Sequence, residues 1–352
     1  MKKLLSIFMA LVFSVIIGGA VSAATGLNPL AVIGGGSVLS AFIPKMEGVA
    51  PMAIQKEIWI NSLVENLFAD NQFMSKAFNA DEFVNSGRTV HIPNAGSPSG
   101  VVKNRTSFPA TIKSREDSDL EFNLNEFTTD PIRIPHADTV ELSYNKRESV
   151  LMNDKANLQE EIANDFIYQW SPGSGQVIRT TGDAVTAHAP SATGNRKALT
   201  KADFKTAMTK FNKANIPQEN RYALVDADMY DQLIDSLTEK QLDNFNKLAD
   251  VSNGVVGKLY TFNIMMRSKA GRYTTALAPK LWSDSGATTD HGAAILWHVN
   301  SVCRALGQTE AFEEEKSPTY YGDIYSFLAR AGGRPMRKNV EGLIAIVQNT
   351  AS

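Results

Sequence analysis

A chain of 352 residues, 43% apolar and 20% charged, is long enough to bury the core of one large or two medium domains and too apolar to be a disordered polymer. Its 35 basic and 37 acidic residues leave a formal net charge of −2, so no cationic excess makes nucleic acid a general partner. The one cysteine, Cys303, excludes an intrachain disulfide framework and a multi-cysteine zinc site; set among Val302, Ala305 and Leu306, it serves as a small apolar group.

Lys2 and Lys3 precede an apolar run from Leu4 to Ala24, and Val21-Ser22-Ala23 resembles a small-residue cleavage site. That is the layout of a secretory signal peptide. The apolar character continues from Leu27 to Ile43 through Gly34-Gly35-Gly36, with no sharp change to a polar start. Residues 1–54 are therefore expected to form either a cleaved signal or a retained apolar arm packed on neighbouring chains.

Over residues 55–85 the spacing of Ile58, Leu63, Leu67, Met74 and Phe78 predicts a helical segment. Between residues 86 and 145 the period becomes two, at Val90/Ile92, Leu120/Phe122/Leu124, Ile132/Ile134 and Val140/Leu142/Tyr144, with prolines at 93, 109, 131 and 135. Alternation with proline punctuation predicts an extended β-ribbon. Two arms of about 20 residues at ~3.3 Å each would reach on the order of 60 Å. Such a ribbon has one apolar face and no core of its own. Leu120, Phe122, Leu124, Ile132 and Ile134 are therefore expected to lie on a neighbouring subunit, and the first three to be more exposed than Leu158, Ile162 and Phe166.

The clearest helix spans Lys146 to Trp170, with Leu151, Leu158, Ile162, Phe166 and Trp170 on one face and charges opposite. Glu161 and Asp165, four apart, lack a metal or acid–base mate and are expected on its solvated side. Pro172-Gly173 ends this helix, and residues 176–196 read as loop or irregular ribbon. Thr200 is placed to cap a helix carrying Phe204, Met208 and Phe211, which Pro217 stops. Arg221–Asp226 reads as a strand and Asp228–Asp235 as a helix; Leu259–Met266, Ala293–Val299, Tyr325–Ala329 and Leu343–Val347 read as further strands. The class is α+β, without strict alternation or internal repeats.

Enzyme signatures fail on spacing. Gly254-Val255-Val256-Gly257-Lys258 is too short for a phosphate loop and reads as a turn into the strand at Leu259. Gly173-Ser174-Gly175 lacks the strand a nucleophile elbow needs. The histidines at 91, 136, 188, 291 and 298 are dispersed, so no metal ligand set is assigned. Glu313-Glu314-Glu315 reads as a solvated loop or helix edge, and Arg334, Arg337 and Lys338 as a solvated turn. No catalytic residue, metal, cofactor or small-molecule substrate is expected.

The order of arm, helix, ribbon, long helix and α/β region resembles the major capsid proteins of tailed bacteriophages, a fold shared with bacterial encapsulins. Tyr222-Ala-Leu-Val-Asp226 with Met229-Tyr-Asp-Gln-Leu233, Val256-Gly-Lys-Leu-Tyr-Thr-Phe262, Tyr321-Gly-Asp-Ile-Tyr-Ser326, Arg330-Ala-Gly-Gly333 and Gly342-Leu-Ile-Ala-Ile-Val347 carry the resemblance. It implies an N-terminal arm (1–54), an extended loop (86–145), a spine helix (146–175), a mainly axial domain (176–290) and a return to the peripheral domain (291–352). It also implies a subunit of an icosahedral virion shell, assembled in the bacterial cytoplasm from hexamers and pentamers of identical chains. The shell would enclose double-stranded DNA without sequence-specific contact, and scaffolding, portal and decoration proteins are further partners that the resemblance allows. The alternatives are an encapsulin-like compartment, a secreted binding protein if the N-terminus is a cleaved signal, and a hydrolase of unrecognised type.

Overall fold

The computed structural model describes residues 71–85, 87–94, 101–106, 108–109, 112, 118–135, 146–337 and 339–351. The expected arm over 1–54, the helical segment up to residue 70 and the run Val140/Leu142/Tyr144 lie outside them. Where the rest of that segment is described it is not α-helical. Gln72–Lys76 is a 3-10 turn, Phe78–Asn79 a short strand (β1), and Asp81–Phe83 a second 3-10 turn. Phe73 and Met74 are buried as the spacing requires, but tertiary pairing draws the backbone out. β1 lies parallel to Cys303 and Arg304, and the Leu306 N–H donates to Asp81 Oδ1 at 2.7 Å.

The expected ribbon divides. β2 (Val84–Asn85), β3 (Thr89–Asn94) and β4 (Ser118–Asn123) form an antiparallel three-stranded sheet. β5 (Asn125–Thr128) and β6 (Ile132–Pro135) leave it and pair with residues 328–331 and 322–325 of the same chain. Residues 125–135 therefore belong to the body of the subunit and not to a free ribbon.

Helix α1 spans Lys146–Trp170, as its periodicity predicts, and Leu158, Ile162, Phe166 and Trp170 are all buried along one stripe. Asp165 departs from the expected solvated pair: Glu161 is exposed but Asp165 is buried. Burial raises the Asp165 carboxyl pKa, and hydrogen bonds from Asn125 and Gln169 partly offset the rise.

Residues 176–196 hold β7 (Val177–Arg179) and the strands β8 (Ala184–Thr186) and β9 (Asn195–Lys197) of a short hairpin. α2 (Lys201–Lys213) begins at Thr200, whose N–H donates to Asp203 Oδ2 at 2.9 Å. β10 (Arg221–Val225) leads through Asp226, which accepts from the Met229 N–H, into α3 (Ala227–Asp235). α4 (Glu239–Lys247) follows. The turn expected at 254–258 is instead strand β11 (Val255–Leu259), which pairs with β12 (Phe262–Met266).

The chain continues through β13 (Gly271–Tyr273), β14 (His291–His298), β15 (Val302–Ser317), β16 (Gly322–Pro335) and β17 (Leu343–Val347). Glu313–Glu315 lies within β15, antiparallel to β16, and not in a solvated loop or helix edge.

A seven-stranded sheet runs β11-β12-β10-β14-β17-β7, with β13 also on β14. Every residue of β14 and β17 is buried, because both faces of the sheet are covered. On one face Ala293, Ile295, Leu343, Ala345 and Val347 join α1 and the aromatic residues of β16 in one apolar core. On the other, Ala294, Leu296, Ile344 and Ile346 join Phe204, Phe211, Met229 and Leu233 of α2 and α3 in a second. β14 and β17 thus share the sheet of β10. Among the described residues no helix is long and apolar enough to cross a membrane.

One close approach gives a direct test. A Cβ on Gly257 of β11 would stand 2.2, 2.3 and 2.5 Å from three ring atoms of Phe245 on α4. Gly257→Ala is expected to lower stability in urea by about 1–3 kcal/mol through overpacking, and Phe245→Leu in the same chain should recover part of that loss.

Candidate functional site

The five residues expected to meet a neighbour are largely covered within their own chain. Phe122, Leu124 and Ile134 are buried, while Leu120 and Ile132 are half-buried. Phe122 and Leu124 pack with Val90, Ile92, Cys303 and Ala305 in a third apolar cluster. Leu124 rests against bare backbone: a Cβ on Gly307 or Gly332 would stand 2.6 or 3.2 Å from its methyl carbons. At 5% exposure, Phe122 and Leu124 match Leu158 of the spine. The expectation of greater exposure than the spine holds for the half-buried Leu120, whereas Phe122 and Leu124 stand only slightly above Ile162 and Phe166, at 0% and 1%, and level with Leu158.

Among the described residues, one uncovered apolar set lies farther along the ribbon, in the connection between β3 and β4. Val101 is 96% exposed, Ile112 95%, Phe108 77% and Val102 57%. A second uncovered set sits toward the turn of the β15–β16 hairpin, at Phe312, Tyr320 and Tyr321. Large apolar groups left in water at such values mark contact surfaces when they occur together. Sequence reasoning missed these residues because they show no alternation. The usable signal is apolar residues inside a stretch otherwise rich in turn formers.

Ion pairs tie together elements of the body that are distant in sequence. Arg330 of β16 donates from Nε and Nη2 to Glu126 Oε2 of β5 at 3.0 and 2.9 Å. Lys269 pairs with Glu160 of α1. Arg272, fully buried, donates to Asp290 Oδ2 from Nε at 3.1 Å and from Nη2 at 2.5 Å, and Lys280 reaches the same oxygen at 3.0 Å. Cys303 is buried beneath the ribbon, and burial pushes its thiol up to about 11, which keeps it protonated and inert.

Two histidines, one half-buried and one buried, respond oppositely to pH. His188, on the loop between β8 and β9, lies 2.8 Å from Asp226 Oδ2 through Nε2. Burial works against its charged form, yet the hydrogen bond to Asp226 and the charges of Asp226 and Asp228 hold its pKa above the usual value. His291 is pushed down to about 4 by burial and by nearby Arg179 and Arg196. An unfolded histidine takes up a proton near pH 6.5. The neutral, folded His291 thus contributes stability present above about pH 6.5 and lost as pH falls toward its folded value. His188 has the reverse sign, its contribution being lost as pH rises past its raised value. His291→Leu is expected to lose less stability than the wild type between about pH 7 and about pH 5, read from urea midpoints at each pH. Equal losses in the two proteins would refute the assignment.

No family model and no curated protein matches the chain. Solved structures do. The capsid of Ralstonia phage GP4 matches with a TM-score of 0.55 at 11% identity, covering 79% of this chain and 88% of that one. The capsid of cyanophage Pam1 matches with a TM-score of 0.55 at 12% identity, covering 81% and 92%. The capsid of cyanophage P-SCSP1u matches with a TM-score of 0.53 at 16% identity, covering 79% and 87%. At these identities the likeness is one of fold: the chain has the α+β fold of phage capsid subunits, with α1 as its spine.

Proposed function

We propose that this chain is a major capsid subunit, a structural protein and not an enzyme, which self-assembles into a closed icosahedral shell around packaged double-stranded DNA. The observation that carries the reading is the exposed apolar set Val101, Val102, Phe108 and Ile112, borne on a fold shared with phage capsids. Apolar groups so placed are stable in water only when another surface covers them, and in a shell built from one repeated contact set that surface is an identical chain. The ribbon base, locked to β15 and β16, holds the tip in position; the tip seats on the neighbour.

On this reading the chain forms hexamers and pentamers in the host cytoplasm and ends in the virion, with scaffolding and portal proteins as transient or unique partners. The mildly acidic balance fits a wall around DNA with no sequence readout. Sedimentation velocity and negative-stain microscopy of the full chain test the proposal. Megadalton particles or capsomer rings are expected. A compact monomer of 38.4 kDa as the sole species at high concentration, with scaffold supplied, would overturn it.

A further inference from the structure

At one end of the seven-stranded sheet, three neighbouring strands place polar groups in a row. Asp226 follows β10, Gly292 is the second residue of β14, and Gln348 follows β17. The Gln348 N–H donates to the Gly292 carbonyl at 3.0 Å, which sets the two residues opposite each other. His188 descends onto this row from the β8–β9 loop. A Cβ on Gly292 would stand 2.4 Å from His188 Nε2 and 3.4 Å from Gln348 Oε1, so glycine here leaves room for both side chains over the same point. Asp228, in the first turn of α3, completes the group: one ligand atom each from His188, Asp226 and Asp228 lie within 4.8 Å of one another.

Gln348 supplies an independent observation. Its side chain is 0% exposed, and neither its amide oxygen nor its amide nitrogen has a hydrogen-bond partner. A buried amide in that state keeps its full desolvation cost unless something meets it. His188 Nδ1 is likewise buried without a partner. The chain thus brings an imidazole, two carboxylates and an unmet amide oxygen to one place.

We propose that His188, Asp226 and Asp228 bind a divalent cation of the zinc or manganese class, with the Gln348 amide oxygen facing the same ion. One nitrogen and two or three oxygen donors suit that class, while a site without thiolate does not select soft metals. The N-terminus of α3 opposes a cation with about half a positive charge; two carboxylates outweigh it. The ion would replace the hydrogen bond between His188 and Asp226 with two metal bonds and clamp the β8–β9 hairpin to the sheet. The role is structural and does not depend on shell formation.

The test is calorimetric titration of the untagged full chain, stripped with a chelator, using zinc chloride or manganese chloride alone. One saturable site per chain is expected, with cobalt chloride giving visible d–d bands at the same stoichiometry. Asp228 is exposed, so Asp228→Asn should fold normally and bind at least about tenfold more weakly, since losing even an outer partner of a metal ligand costs about 10–100-fold in affinity. His188→Ala should abolish the cobalt bands; where that variant fails to fold, Asp228→Asn decides alone. Absence of stoichiometric binding by the wild type, or equal binding by Asp228→Asn, would overturn the site and leave His188–Asp226 as a simple hydrogen-bonded latch.

Discussion

A chain carrying both Phe108→Asp and Ile112→Asp is expected to fold as the wild type does and to form no shell. Both side chains are mostly in water in the single chain, so replacing them removes little intramolecular packing and should shift stability by no more than about 0.5 kcal/mol. In an assembled particle the same positions would be covered. Burying an apolar side chain of this size contributes about 1.5–3 kcal/mol, and an unpaired carboxylate in its place adds a desolvation cost of several more. Because every subunit repeats the contact, the loss recurs at each interface, and closed particles should disappear from sedimentation profiles while circular dichroism stays unchanged. Phe122→Asp is the informative companion. It lies in the chain's own third core and should prevent folding altogether. Wild-type particle yields from the double variant would remove the ribbon tip from the interface.

Trp170→Ala is the second change with a large expected effect. Trp170 ends the spine helix at the point where the spine, the seven-stranded sheet and the long hairpin meet. Its ring lies 5.8 Å from Phe73, 5.7 Å from Phe166 and 5.7 Å from Trp297, and its Nε1 donates to the Cys303 carbonyl of β15 at 3.0 Å. Gly333 leaves room for it, since a Cβ there would stand 2.7 Å from Nε1. Removing the indole should cost about 3–5 kcal/mol in cavity and transfer terms, and the orphaned carbonyl about 1–3 more. Against a total stability of about 5–15 kcal/mol, little folded chain should remain. Urea titration followed by circular dichroism measures it, and Trp170→Phe, which loses the donor but keeps most of the ring, should fall between. A midpoint for Trp170→Ala equal to the wild type would refute the keystone role.

What the sequence discloses is what local patterns determine. The spine helix is legible over Lys146–Trp170 because one apolar stripe runs its whole length, and β17 because five consecutive apolar residues have no other reading. Thr200, Asp203 and Pro217 mark the limits of α2 for the same local reason. The failures come from partners distant in sequence. Phe122 and Leu124 alternate as a ribbon face should, but alternation names a face without naming what covers it; the cover is Cys303, Ala305 and two glycines of the long hairpin. β15 hides behind Glu313-Glu314-Glu315, whose side chains flank a strand held by β16, so charge suggests loop where backbone pairing dictates extension. Asp165 looks solvated until Asn125 is brought to it. The fold class was thus readable from the order of elements; the exposed apolar residues at 101–112 lack the alternation that would mark them, and the cluster of His188, Asp226 and Asp228 exists only once remote segments meet.

The position of β17 in its sheet bears on the timing of biosynthesis. This strand lies between β14 and the edge strand β7, so β7 cannot join the sheet until residues 343–347 have been made. β7, at Val177–Arg179, has no sheet neighbour on the inner side until then. At a translation rate of about 5–20 residues per second, the interval is roughly 10–30 s. During it the sheet lacks its far edge, and the backbone groups of β14 that face β17 have no strand to pair with. The late strand thus delays completion of both apolar layers, each of which draws residues from it.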